Sequence, residues 1–307
     1  VTPLKPSVPA GDASGEARSR PAAVRLLPSV ITILALSAGL SAVKFALDGE
    51  LGIALGMIGA AAILDALDGR IARLLDATSK IGAELDSLSD AIAFGVAPAL
   101  VLYVTLLDGS ALGWIIALLY AVSIVLRLAR FNTLLEDDSI PAYAREYFVG
   151  VPSPAGAIIA LSPIAAYIQW GEGWWTSFPL VVAWTLFSGG LIVSRIPTLA
   201  MKSMSVPPRL AIGLLALVAA GAAALVTYPF VLMLVLVGVY LLHIPFAIRS
   251  QRWVAARPAT WDIKPSERRA IRAETRALRP RRAVGRRMLN ATGRSSARLG
   301  LRRPRGR

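Results

Sequence analysis

Residues 63–100 read ILDALDGRIARLLDATSKIGAELDSLSDAIAFGVAPAL, and within them Asp65, Asp68, Asp86 and Asp90 interrupt or border runs of otherwise apolar residues. An ionised Asp at the centre of a bilayer costs about 2.5–3.5 kcal/mol on the insertion scale, so four unpaired acids would cost roughly 10–14. They need cations. Asp65 and Asp68 are three residues apart and Asp86 and Asp90 four, so on helices each pair shares one face. Two adjacent helices would then offer four carboxylates to one pocket.

The apolar runs extend well beyond this stretch. Roughly 27–47, 51–69, 87–107, 112–130, 153–170, 177–197, 209–227 and 229–248 are each near the ~20 residues that cross a bilayer as helix. With 55% of its 307 residues hydrophobic, the chain lies outside the usual range for soluble domains. The expectation is an all-α, polytopic membrane bundle of eight transmembrane helices in a domain at 25–250. A disordered, Pro- and Ala-rich arm is expected at 1–24, and a basic tail at 251–307.

Charge orients the bundle. Arg18, Arg20 and Arg25 precede the first run; Arg70, Arg73 and Lys80 follow the second; Arg127, Arg130 and Arg145 follow the fourth; Arg195, Lys202 and Arg209 follow the sixth. The opposite loops carry Asp48, Glu50, Asp108 and Glu172, with Lys44 as the basic exception. The positive-inside rule then places both termini and the acidic site at the cytoplasmic face of the cell membrane. Trp170, Trp174 and Trp175 on the other side read as an interfacial belt.

The net charge of +14 is not a nucleic-acid signal. Residues 251–307 hold 18 Lys+Arg and 3 Asp+Glu, a net of +15, which leaves 1–250 near −1. Such a tail is suited to anionic lipid headgroups, and no nucleic-acid partner is expected. The chain has no Cys and one His, so any metal must be held by oxygen. That donor set suits Mg²⁺ or Mn²⁺, and two such ions can clamp a diphosphate. Gly69, Ala72 and Gly82 leave room for close helix approach or for substrate against backbone, and Arg73 can reach a phosphate oxygen. His243 reads as a helix-end packing residue.

As a string, Asp65-x₂-Asp68-Gly69-x₂-Ala72-Arg73-x₈-Gly82-x₃-Asp86-x₃-Asp90 resembles the signature of the CDP-alcohol phosphatidyltransferase family. The resemblance implies transfer of a phosphatidyl group from CDP-diacylglycerol to a small alcohol, with two divalent cations and, in the family, a homodimer. It makes Asp65, Asp68 and Asp86 metal ligands, and Asp90 a ligand and the general base. It places Gly69, Ala72 and Arg73 at the nucleotide, and Ser79 near the donor phosphate. Pro28 and Ser29 resemble the family's entry to its first helix, with Ser in place of Asn. Asp90–Pro98, Arg127–Asn132, Phe148–Ala155, Val193–Pro197 and His243–Trp253 resemble the branch that takes serine as acceptor. Arg127, Arg130 and Asn132 are candidates for holding serine, with bilayer-edge flank residues as the other reading. Two alternatives stay open from the residues: glycerol 3-phosphate or inositol phosphate as acceptor, and a cation transporter lined by the acids.

Overall fold

A computed structural model describes residues 22–77, 79–135, 147–199 and 208–257, with Glu267 and Ile271 as isolated positions. Arg18, Arg20, Arg145 and Lys202, most of the N-terminal arm and most of the basic tail lie outside the described residues. Helix α1 spans Ala22–Leu47 and α2 spans Leu51–Leu74, joined by a turn at Gly49. The Glu50 amide donates to the Phe45 carbonyl and the Gly49 amide to Ala46, while Gly49 takes φ +81. This pairing closes the α1 terminus as a Schellman motif, which needs a residue that tolerates the left-handed region. Lys44, the basic exception on this side, pairs with Asp48 one turn on, so its charge is neutralised locally.

The same device ends α2, with Asp76 at φ 51 and the Ala77 amide on the Ala72 carbonyl. Ser79 then caps α3, Lys80–Asp90, its Oγ accepting the Gly82 amide at 3.0 Å. From α3 the chain continues as one helical rod to Leu107, through a π-helical stretch Ala91–Val96, α4 (Ala97–Leu102) and a second π stretch, Tyr103–Leu107. The first π stretch lies directly after Asp90 and presses against α1: a Cβ on Gly39 would sit 2.6 Å from Ala93 Cα. Buried Tyr120 of α5, Ala111–Leu135, donates its hydroxyl to the Phe94 carbonyl at 3.0 Å. Gly109 makes the turn between rod and α5 at φ +82.

The run at 153–170 is two helices, α6 (Ser153–Ala160) and α7 (Ser162–Trp170), separated at Leu161. Pro163 causes the break, since it has no amide to return to Ile159 four residues back. The orphaned Ile159 carbonyl is satisfied instead by Trp184 Nε1 at 2.8 Å and Ser162 Oγ at 2.7 Å. Trp184 belongs to α8, Phe178–Val193; α9 spans Pro208–Thr227 and α10 Pro229–Ala255. Between α7 and α8 the rings of Trp170, Trp174 and Trp175 stack edge to face, with Trp175 6.1 and 5.9 Å from its two partners.

Five helices among the described residues are long and apolar enough to cross a membrane: Leu26–Leu47, Leu51–Leu74, Lys80–Leu107, Ala111–Leu134 and Pro229–Ala255. Phe178–Val193 and Ile212–Thr227 are apolar but shorter. The helical class matches expectation, with one addition. Strands β1 (Tyr147–Val149) and β2 (Pro197–Leu199) pair antiparallel, Phe148 opposite Thr198, tying the segment before α6 to the segment after α8. Gly150 follows at φ +81, where a Cβ would meet the Ile192 carbonyl at 2.5 Å.

Small side chains dominate the centre: Ala42, Ala54, Ala61, Ala97, Ala157 and Ala165 are fully buried, beside Phe94, Ile124 and Ile164. Close helix approach through small residues is the packing mode of membrane bundles, whose outer faces remain apolar. Leu118, Val122, Leu217 and Val226 are exposed accordingly. Two expectations are corrected. Pro28 lies inside α1 and not at its entry, because the helix begins at Ala22. His243 is exposed within α10, twelve residues before its end at Ala255, so it is not a helix-end residue.

Candidate functional site

Helices α2 and α3 both pack on α1, and this shared support brings their acids to one place. One carboxylate oxygen each from Asp65, Asp68 and Asp86 lie within 4.8 Å of one another. Oxygens sharing one Mg²⁺ at ~2.1 Å stand at most ~4.2 Å apart, so this trio fits a hard cation after closing by about half an ångström. Three carboxylates this close repel unless a cation joins them. The donor set contains no nitrogen or sulfur, as hard divalent ions prefer.

Asp68 is the most enclosed acid, 4% exposed, and Thr32 of α1 donates its Oγ1 to Asp68 Oδ2 at 2.7 Å. Thr32 is held in turn: its hydroxyl lies 3.1 Å from the Pro28 carbonyl, and Ser89 Oγ donates to the Thr32 carbonyl at 3.2 Å. Buried Pro28 therefore acts on the acids through Thr32. Ser29 is half-buried beside it.

Asp90 lies beside the trio, one helical turn after Asp86. Its carboxyl group interacts electrostatically with those of Asp65 and Asp86. The site is thus three clustered acids with a fourth at its flank. One cation faces that flank: Arg127 of α5 interacts electrostatically with both Asp90 and Asp65.

The three acceptor-side candidates separate. Arg127 is 9% exposed, its Nη1 donates to Ser153 Oγ at 2.7 Å, and its Nε has no hydrogen-bond partner among the described residues. A buried guanidinium N–H without a partner is uncommon and calls for a ligand. Arg130 instead donates to the Val193 carbonyl at 2.6 Å, holding the end of α8. Asn132 exchanges hydrogen bonds with Ser87 of α3, at 3.1 and 3.4 Å, tying α5 to the residue after Asp86.

On the donor side, a Cβ at Gly69 would meet only the Arg73 guanidinium nitrogens, at 3.9 Å, so this face of α2 is open beneath an exposed arginine. Ala72 is half-buried on the same last turn. Gly82 and Ser79 have a local duty, for a Cβ at Gly82 would crowd the capping Ser79 Oγ at 3.0 Å. Four contributors had no role assigned from the sequence: Thr32, Ser87, Ser89 and Ser153. Ser153 lies inside Phe148–Ala155, a string that resembles the family, and Thr32 lies three residues after Ser29.

Comparison with known proteins agrees with this geometry. The chain is similar to the CDP-diacylglycerol--serine O-phosphatidyltransferase of Mycobacterium bovis, 51% identical over 281 residues, covering 92% of this chain and 94% of that protein. It is 49% identical over 290 residues to the protein of that name from Mycobacterium leprae, covering 94% and 97%. A third of that name, from Helicobacter pylori, is 36% identical over 137 residues, covering 44% and 56%. The sequence profile of the CDP-alcohol phosphatidyltransferases matches residues 25–194, more than half the chain and the whole of the acidic hairpin. The chain therefore belongs to the CDP-alcohol phosphatidyltransferase family.

Proposed function

We propose that this protein is a phosphatidylserine synthase, transferring the phosphatidyl group of CDP-diacylglycerol to the hydroxyl of L-serine and releasing CMP. The observation that carries the reading is the acidic trio of α2 and α3 beside Arg127, the one buried arginine among the described residues, whose Nε has no hydrogen-bond partner among them. Serine brings one carboxylate, which one guanidinium can pair. A phosphorylated acceptor brings a dianion and would call for more cations at the same depth. The names of the mycobacterial relatives point the same way. Family membership also replaces the cation-transporter reading with an enzyme.

Asp65, Asp68 and Asp86 hold the divalent ions, with Asp90 completing the set. When bound, two such ions, Mg²⁺ or Mn²⁺, neutralise the donor diphosphate and the charge that develops on CMP. Thr32 keeps the Asp68 carboxylate in its rotamer. Arg73 and the open face at Gly69 receive the nucleotide end of the donor. Ala72, Ser79, Gly82, Pro28 and Ser29 shape that side as helix-packing and capping residues.

Arg127, braced by Ser153, pairs with the serine carboxylate and directs the hydroxyl at Asp90, which takes its proton. The serine oxygen forms a bond to the phosphorus bearing diacylglycerol. The bond from that phosphorus to the bridging oxygen breaks, and the oxygen departs with CMP. Enclosure within the bundle keeps water from competing. Arg130 and Asn132 fasten α5 to α8 and α3 around this site.

The same reading has eight membrane crossings, the broken α6–α7 pair, α8 and α9 each counting as one, with both termini and the acidic site cytoplasmic. The helical body lies at 25–250 and the protein acts as a homodimer in the cell membrane. The test is CMP release by purified protein with CDP-diacylglycerol and Mn²⁺ or Mg²⁺, comparing serine, glycerol 3-phosphate and inositol phosphate. Serine-dependent release, lost in Asp90→Asn, is the expected result. Release with another acceptor keeps the chemistry and moves the branch; release with none overturns the reading.

A further inference from the structure

Helix α8 ends at Val193, and the carbonyls of its last turn lack amides of their own helix to receive. Neighbouring segments serve them. The Ser194 amide donates to the Gly190 carbonyl at 3.0 Å, and the Ser194 hydroxyl to that of Leu191 at 2.7 Å. The Leu191 carbonyl also receives the Val151 amide at 3.4 Å, from the segment that leads into α6. The Val193 carbonyl receives Arg130 Nη1 of α5 at 2.6 Å, and an ionised donor makes the stronger kind of hydrogen bond there. One helical turn thus holds both α5 and the start of α6.

The approach is closest at Gly150. Its φ of +81 suits glycine, and a Cβ there would lie 2.5 Å from the Ile192 carbonyl oxygen and 3.0 Å from that of Ser194. Its amide donates to the Ile196 carbonyl at 2.9 Å, which continues the pairing of β1 with β2. A Cβ on Gly156, within α6, would lie 2.8 Å from the Ile192 side chain.

Both fastenings stand next to Arg127. Arg127 precedes Arg130 by three residues on α5, hence on a neighbouring face, and Ser153 follows Val151 by two. The pair closes where Arg127 Nη1 donates to Ser153 Oγ at 2.7 Å. Arg127 interacts electrostatically with Asp90, the base of the proposed reaction, and its Nε has no hydrogen-bond partner among the described residues. The span from this guanidinium to that carboxylate sets how far apart an acceptor's own carboxylate and hydroxyl can stand.

We propose that the last turn of α8 is the seat that fixes the Arg127–Ser153 pair, so that Arg130, Gly150 and Ser194 are positioning residues that set acceptor selectivity. The inference rests on the acceptor assignment made above. Arg130 acts through Arg127 and does not itself touch the acceptor. Gly150 admits no larger residue because the chain must pass against two carbonyls to bring Ser153 to the arginine.

The experiment measures kcat/KM for CMP release with L-serine and with L-homoserine, one methylene longer, together with the KM for CDP-diacylglycerol. It compares wild type with Arg130→Met, Arg130→Lys, Gly150→Ala and Ser194→Ala, and with Ser177→Ala at the opposite end of α8 as the control. In Arg130→Met and Gly150→Ala the preference for serine over homoserine should fall about tenfold, within the ~100-fold that a misplacement of ~1 Å costs. Ser194→Ala should lower it about threefold, the scale of one neutral hydrogen bond. Arg130→Lys keeps a charged donor for the Val193 carbonyl and should recover most of the preference. The control should match wild type, and the donor KM should stay within about twofold throughout.

Losses equal for both acceptors would make these residues structural only and overturn the proposal. A shift confined to the Arg130 variants would mean direct contact of that arginine with serine and overturn it too. If Gly150→Ala does not fold, Ser194→Ala, which adds no atoms, decides between these outcomes. A serine-dependent wild type whose variants keep its selectivity overturns the proposal alone. A wild type that releases CMP with neither amino acid overturns the acceptor reading along with it.

Discussion

Asp68 and Arg127 are the two charged residues most deeply enclosed at the site, and each is held by a hydroxyl: Thr32 on the acid at 2.7 Å, Ser153 on the arginine at 2.7 Å. Residues that orient a metal ligand typically contribute 10–100-fold to metal affinity. Thr32→Val should therefore raise the Mn²⁺ concentration for half-maximal CMP release by about tenfold, with activity largely recovered at saturating Mn²⁺. A metal titration of both proteins checks this, and an unchanged midpoint would remove Thr32 from the site. Arg127→Lys keeps the charge but not the planar fork. Its serine KM should rise by about tenfold or more while the CDP-diacylglycerol KM stays near wild type, read from initial rates with each substrate varied in turn.

At the level of elements, two breaks in helical regularity position the site. The π stretch after Asp90 presses Ala93 onto Gly39, and π turns inside α-helices recur at functional sites. The Pro163 break is compensated by Trp184, whose indole N–H serves the Ile159 carbonyl. Trp184→Phe should cost about 1 kcal/mol of stability through that hydrogen bond. On a Pro163→Ala background the cost should shrink, because an alanine in place of the proline would return a backbone amide to Ile159. A double-mutant cycle of detergent unfolding tests the coupling; additive effects would mean that Trp184 acts through packing alone.

For the whole molecule, membrane orientation follows from where Lys and Arg fall, and the absence of Cys makes it directly measurable. In sealed inside-out vesicles a charged maleimide should label Ser79→Cys but not Glu172→Cys, and in intact spheroplasts the reverse. The same side for both would overturn the proposed topology. Charge along the chain separates the roles further: the near-neutral body carries the site, and the net +15 lies in 251–307. Truncation after Arg257 should leave serine-dependent CMP release intact in neutral micelles, with any loss confined to anionic bilayers, as an assay in both lipids would show.

What the sequence by itself determined was local or periodic. Apolar runs of helix length imply a membrane bundle because an unpaired backbone is intolerable in lipid. The i, i+3 and i, i+4 spacing of the aspartates put each pair on one face, and the resemblance carried by Asp65 to Asp90 named the family that comparison then showed. The two acidic helices are close in the chain, and their common packing on α1 brings the acids together. Tertiary structure decided what depends on helices distant in the chain. Arg127, Arg130 and Asn132 are equivalent as flank residues in sequence, yet packing sends the first to the acids, the second to Val193 and the third to Ser87. The ribbon joining 147–149 to 197–199 and the packing of α10 on α7 both arise from contacts between segments far apart in sequence. No hydrophobic period records such contacts, because a period specifies which face of a helix is buried and leaves open which helix will cover it.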